Sequence, residues 1–291
     1  MDLATTFGLW LIGLGAVGCV VGLAAWLKPS SGGLRRAALA CGQACLLLAV
    51  AAWVARWRAA GHLPLFGTYE SSLSLAAAVM LAALVAQRRV SGTGLWPVAC
   101  GVSAAVVAHG SLYDPTIYAL TISERSWVVD IHAVVAWAAF GALTVNAGLA
   151  LWILLASKQD EAAGLRAGRG PTPDSRPRLL AFTLSLGFLL HTAMLVSGSF
   201  YKFLLFGQAW SFDPIETLGF VAWVAYGALL HMHLFAGWEG RRLAMWCLSL
   251  FLLLLVSYRG IVYFPAWSTY HIFDMDLRLH VTGEELTGSA P

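Results

Sequence analysis

Apolar stretches of about 20 residues, long enough to cross a bilayer, recur along the chain and alternate with short polar segments. They predict helices over residues 7–27, 37–57, 68–86, 95–113, 127–156, 179–201, 214–236 and 243–263. The fifth stretch is longer than one bilayer requires, so it is expected to tilt or to extend past the membrane. The pattern gives an all-α polytopic membrane bundle of about eight transmembrane helices. Four regions follow: N-terminal helices over 1–157, a Gly-, Pro- and Arg-rich linker over 158–178, a second helical region over 179–273, and a polar tail over 274–291. Gly and Pro in the linker mark it as a flexible connection between two groups of helices.

Composition agrees with the pattern. Of 291 residues, 59% are hydrophobic and only 11% are charged, whereas a soluble domain carries about 25% charged residues. The net charge of +3 is small, and no basic run is interleaved with aromatics as a nucleic-acid groove requires. Of the 18 Lys and Arg residues, twelve fall in one set of alternate loops, from Lys28 and Arg35 to Arg241 and Arg242. The other six are Arg56, Arg58, Arg125, Lys202, Arg259 and Arg278. The positive-inside rule places the richer set in the cytoplasm. Both termini and the loops after helices two, four and six then face outward. Met1-Asp2-Leu3-Ala4 has no basic residue, so the first stretch is read as a retained helix. Cys19, Cys41, Cys45, Cys100 and Cys247 all lie in apolar runs and form no CxxC motif; they read as packing residues.

The chemistry concentrates around Phe206-Gly207-Gln208-Ala209-Trp210-Ser211-Phe212-Asp213-Pro214-Ile215-Glu216-Thr217, on the expected outer side. Part of this segment is local helix grammar. Asp213 suits an N-cap, Pro214 the first helical position and Glu216 the third, a capping-box-like start. Caps do not explain an aromatic, glycine-containing stretch set directly against them. Flat rings at a membrane surface can instead support a flat amphipathic ligand. The histidines narrow the choice, since an ionisable residue inside a membrane is a functional candidate. His132 opens the fifth helix, His271 follows the eighth, and His231 lies about 15 residues into the seventh, roughly 22 Å deep. His191 sits mid-membrane on the sixth helix, while His62, His109, His233 and His280 are weaker candidates. Two imidazoles on either side of a porphyrin, with aromatics against its face, fit this arrangement. Hydrogen bonding to a neighbouring helix is the plainer alternative for each.

The same segments resemble the CcsA (also called ResC) family of cytochrome c biogenesis proteins, part of a heme-handling superfamily with a tryptophan-rich "WWD" segment. The family pattern is close to WGxxWSWDPxETW; here it reads Phe206-Gly207-x-x-Trp210-Ser211-Phe212-Asp213-Pro214-x-Glu216-Thr217-Leu218. Gly61-His62-Leu63-Pro64-Leu65 through Tyr69-Glu70-Ser71 resembles the family's G-x-x-P-x-x-N-x-YES stretch, and Leu230-His231 its LH. The resemblance implies transport of heme b across a bacterial inner membrane to its outer face. It implies covalent attachment there to the CxxCH thiols of an apocytochrome c, together with a CcsB/ResB-type partner. It implies outer iron ligands at His132 and His271, and a transit ligand at His231 whose opposite ligand comes from the partner. It also implies a porphyrin platform at Phe206, Gly207, Trp210, Phe212 and Asp213. Propionates would draw on Arg56, Arg58, Arg125 or Lys202. Phe206, Phe212 and Leu218 replace family tryptophans, Ser268-Thr269-Tyr270-His271 departs from the family's LHSY, and Gly67 stands where Asn is common. The alternative reading is a CcmC-like subunit that moves heme or another amphipathic ligand without synthase activity.

Overall fold

The structure, a computed structural model, describes residues 2–28, 30–89, 94–120, 123–155 and 175–256. Within them the chain forms eight α-helices and one short 3-10 turn, Ser123–Arg125. The helices are α1 Leu3–Leu27, α2 Gly32–Ala60, α3 Gly67–Gln87, α4 Trp96–Gly110, α5 Trp127–Leu155, α6 Ser175–Phe206, α7 Pro214–Ala236 and α8 Gly240–Leu255. Six of them, all but α4 and α8, are long and apolar enough to span a membrane. The chain is a polytopic helical membrane protein. His271, His280, most of the linker, the tail and the expected end of the eighth helix lie outside the described residues.

Several helices run past their expected ends because caps, not composition, set the boundaries. Ser31 caps α2 through the Leu34 amide at 3.3 Å, and Gly61, at φ +75°, closes it with its N–H on the Trp57 carbonyl. By contrast, α4 stops at Gly110, short of the expected residue 113. Its 15 residues rise only about 22 Å at about 1.5 Å each.

Helix α1 packs on α2 and α4, α3 on α4 and α5, and α5 on α6 and α8, so α5 joins the two halves of the bundle. Small residues permit the close approaches. A Cβ added at Gly15 of α1 would lie 2.8 Å from the Cys100 carbonyl oxygen of α4, and one at Gly22 would lie 2.1 Å from the Pro97 ring. Without a hydrophobic driving force between helices in lipid, such backbone-to-backbone packing is what holds them.

Charged side chains segregate to the two ends. At the first end, Arg56 is 2% exposed. Its guanidinium donates to Glu70 at 2.8 Å and to the carbonyls of Pro115 at 2.7 Å and Thr116 at 3.3 Å. Asp2, the N-cap of α1, lies 3.8 Å away. Arg56 therefore ties four chain segments at the end where the sequence places outer loops. Tyr69 and Ser71 complete the knot: the Tyr69 hydroxyl meets Thr5 at 3.2 Å, and Ser71 donates to the Leu65 carbonyl at 3.3 Å. The Tyr69-Glu70-Ser71 stretch is thus a structural hub. At the opposite end, Arg89 lies 3.8 Å over the Phe182 ring, Arg176 4.8 Å over Trp152 and Arg242 3.7 Å over Trp238, while Arg241 donates to the Leu154 carbonyl at 2.7 Å.

Candidate functional site

The aromatic segment is a tight loop between α6 and α7. Gly207, at φ +70°, ends α6 with its N–H on the Phe203 carbonyl at 3.0 Å. Asp213 begins α7: its carboxylate accepts from the Ile215 amide at 2.9 Å, with Pro214 at the first helical position. The Asp213 cap and the Pro214 position are as the sequence predicts, whereas α6 runs to Phe206, past its expected end at residue 201. Glu216 differs from a capping box. Its carboxylate reaches back to the Ser211 amide at 3.0 Å and accepts from the Ser211 hydroxyl at 3.2 Å. It also pairs with Lys202 of α6, whose ammonium donates to Ser211 as well. Lys202 is 5% exposed, so the loop is clamped to α6 by a buried ion pair. Arg56 and Lys202, two of the four expected propionate partners, are held in these ion pairs.

The clamp leaves aromatic faces outward. Phe212 is 80% exposed and Phe206 46%, while Trp210 is half-buried. Phe212 has φ +58° and is the only non-glycine residue with positive φ among the described residues. That left-handed conformation costs an L-residue about 1–2 kcal/mol. Strain of this kind persists where surrounding structure overrides it, often at functional sites. Trp210 meets Phe212 at 6.4 Å and Phe220 at 5.8 Å, both edge-on. Phe220 stacks on Trp223 at 5.7 Å, and Trp223 on Phe188 at 5.7 Å. The Trp223 indole donates to Thr192 at 2.8 Å. An aromatic ladder therefore runs from the loop down between α6 and α7.

His132 sits one turn into α5 and faces α6. Its Nδ1 is 3.0 Å from the Met194 carbonyl and 3.3 Å from the Ser197 hydroxyl. A carbonyl only accepts, so Nδ1 carries the proton and Nε2 of the neutral ring holds the lone pair, the form that ligates iron. The ring rests on Gly198: a Cβ there would lie 2.8 Å from His132 Cε1. Because α6 ends in the aromatic loop, His132 and the loop share one end of the bundle. Asp130, two residues earlier, is on a different face of α5.

His231 is exposed on α7, its ring 4.6 Å from Phe235. Exposed Phe220, Val224 and Phe235 share its helical stripe, so His231 lies below the loop on an outward surface. The structure thus seats His132 on Met194, Ser197 and Gly198 of α6, more than two turns before the loop that holds Phe206, Gly207, Trp210, Phe212 and Asp213, and sets His231 further along α7. His271 lies outside the described residues. Of the other described histidines, His62 Nδ1 donates to the Leu63 carbonyl at 2.9 Å and His233 Nδ1 to the Trp238 carbonyl at 2.8 Å, His109 packs 5.2 Å from Tyr113, and His191 is buried within α6. Sequence reasoning missed Gly198 and Lys202 as the residues that seat the imidazole and the loop. The nearest signal was the pair of small residues, Ser197-Gly198, facing the start of α5.

Residues 43–266 match the family described as "Cytochrome C assembly protein". Similar proteins include the cytochrome c biogenesis protein CcsA of Synechococcus sp. (strain CC9902), 31% identical over 253 residues that cover 74% of this chain and 80% of that protein. CcsA of Prochlorococcus marinus (strain MIT 9313) is 30% identical over 253 residues, covering 74% and 77%. Among solved structures, one named Cytochrome c Heme Lyase CcmF has the same fold, with a TM-score of 0.63 at 18% sequence identity. That likeness covers 98% of this chain and 50% of the solved one, so this chain spans half its length.

Proposed function

Because the chain belongs to the cytochrome c assembly protein family, we propose that it works in cytochrome c maturation, carrying heme b through a bacterial inner membrane and presenting it on the outer face for attachment to an apocytochrome c. The observation that supports this reading best is the paired construction at one end of the bundle. A clamped, strained loop turns Phe206 and Phe212 outward, and α6 beneath it fixes the proton on His132 Nδ1.

Heme is the cargo. His231 holds the iron within the membrane opposite a histidine of a CcsB/ResB-type partner, and its exposed position on α7 is accessible to such a partner. At the outer face His132 and His271 take the two axial positions, with Trp210 and Phe212 against the macrocycle. The Met194 carbonyl orients the His132 imidazole, as a supporting hydrogen bond does for other metal-ligating histidines. Asp213 and Glu216 shape the loop and handle no proton. Arg58 and Arg125 remain as partners for the propionates, since Arg56 and Lys202 are held in ion pairs. Attachment adds each CxxCH thiol across a vinyl group: sulfur bonds one carbon, hydrogen the other, and no net electron is transferred. This chain contributes position and iron ligation, while the porphyrin supplies the reactive group. The region 179–273 carries most of the machinery, with His132 supplied from the first half.

The test is the absorption spectrum of the chain purified with its partner. His132→Ala and His271→Ala are each expected to weaken the low-spin heme bands. Unchanged heme content and spectrum in both variants overturn the assignment. Reconstitution with an apocytochrome separates synthase from transporter: covalent product supports the first, heme movement without product the second.

A further inference from the structure

Apart from the loop and its histidines, four polar side chains from four helices converge inside the second half of the bundle. Asn146 of α5 and His191 of α6 are each 1% exposed, and Tyr226 of α7 and Cys247 of α8 are 0% exposed. The His191 ring meets the Tyr226 ring edge-on, centroids 6.4 Å apart. The Cys247 thiol lies against the Asn146 amide and within electrostatic reach of Tyr226. The Asn146 amide nitrogen is satisfied, donating to the Leu180 carbonyl and to the Thr183 hydroxyl at 2.9 Å each.

Four polar atoms in this cluster meet no hydrogen-bond partner among the described residues: both ring nitrogens of His191, the Tyr226 hydroxyl and the Asn146 side-chain oxygen. The Gly219 carbonyl lies near the His191 ring without reaching hydrogen-bond geometry. Leaving polar groups unpaired in a hydrocarbon interior costs several kcal/mol each. Packing alone does not account for the choice of residues, because Leu and Phe would fill the same space without that cost.

We infer that His191, Tyr226, Asn146 and Cys247 enclose an internal site for a small neutral hydrogen-bonding ligand, namely one or two water molecules, among α5, α6, α7 and α8. The donor and acceptor inventory selects water. Neutral imidazole offers one N–H and one lone pair, tyrosine an O–H, and asparagine an acceptor. A water accepts from the first two and donates to the last, which meets the two to four polar partners that buried water takes. No carboxylate, lysine or arginine is among the four residues, so nothing there balances an ion. Their complete burial excludes anything large.

Two measurements on the full-length chain test this, and neither depends on heme. In a chain whose only thiol is Cys247, the infrared S–H band should convert to S–D in heavy water about tenfold faster than in a chain whose only thiol is Cys100, which is also 0% exposed. Equal or slower exchange at Cys247 overturns the site. Independently, Tyr226→Phe and His191→Leu should each lower the thermal midpoint, and the double variant should lose less than the two losses summed. The two groups share bound water, so once one of them is gone the other contributes less. Losses that add in the double variant overturn the site.

Discussion

Phe212 allows loop strain and ligand contact to be measured separately. At φ +58° any L-residue carries a penalty of about 1–2 kcal/mol. Glycine escapes it but loses roughly 0.4–1 kcal/mol through the greater freedom of the unfolded chain. Phe212→Ala removes the ring and keeps the strain; Phe212→Gly removes both. The ring itself stabilises little, being 80% exposed with one edge contact to Trp210. Glycine is therefore expected to exceed alanine by about 0.5–1 kcal/mol. In a chain of this size that is a thermal midpoint difference of roughly 1–4 °C, readable by intrinsic fluorescence in detergent. Both variants should retain less heme than the parent, judged by absorption at equal protein, and Phe212→Trp should retain it. If alanine matches or exceeds glycine in midpoint, the strain argument is wrong. If both variants keep full heme, the ring is not part of the platform.

Three further outcomes follow from the contacts described. Gly198→Val, whose Cβ would lie 2.8 Å from the His132 ring, should displace the imidazole and lower heme content while circular dichroism shows unchanged helix. Glu216→Ala leaves the buried Lys202 charge without its carboxylate, so it should cost about 3 kcal/mol; Lys202→Met with Glu216→Leu should cost less than Glu216→Ala alone, seen as a higher midpoint. The carboxyl of Asp114, on the loop before α5, is held below the usual range by hydrogen bonds from Tyr118 and Thr116. Its contribution is present above the unfolded value and lost as pH falls through the lowered folded value, so protease cleavage of residues 111–120 should rise only at acidic pH and not between neutral and mildly acidic conditions.

Much of the fold was legible in the sequence because hydropathy and capping are local signals. The start of α7 could be read from Asp213-Pro214 alone, since the cap and its amide are two residues apart. The end of α4 could not, because apolar Leu112 and Tyr113 continue past it. At the site, aromatic residues in a loop were visible, but their support was not. Lys202 and Glu216 are separated by the whole loop, and their pairing depends on how it turns. The seat of His132 on Gly198 depends on the register of α5 against α6, which no local pattern encodes. The left-handed turn at Phe212 is likewise imposed from outside. Glu70 read as part of a motif, but only its burial beside Arg56 shows what the motif does.

The Lys202–Glu216 clamp implies a division of labour between stationary and travelling parts. With a glycine stop on one side, an aspartate start on the other and an ion pair beneath, the segment behaves like a jig bolted to the bench. Whatever is fitted against it must arrive already oriented, because the jig cannot follow the workpiece. Selectivity would then reside in the shape of the incoming disc and in the partner that delivers it, and a variant with a loosened clamp should admit misfits before it loses the proper one.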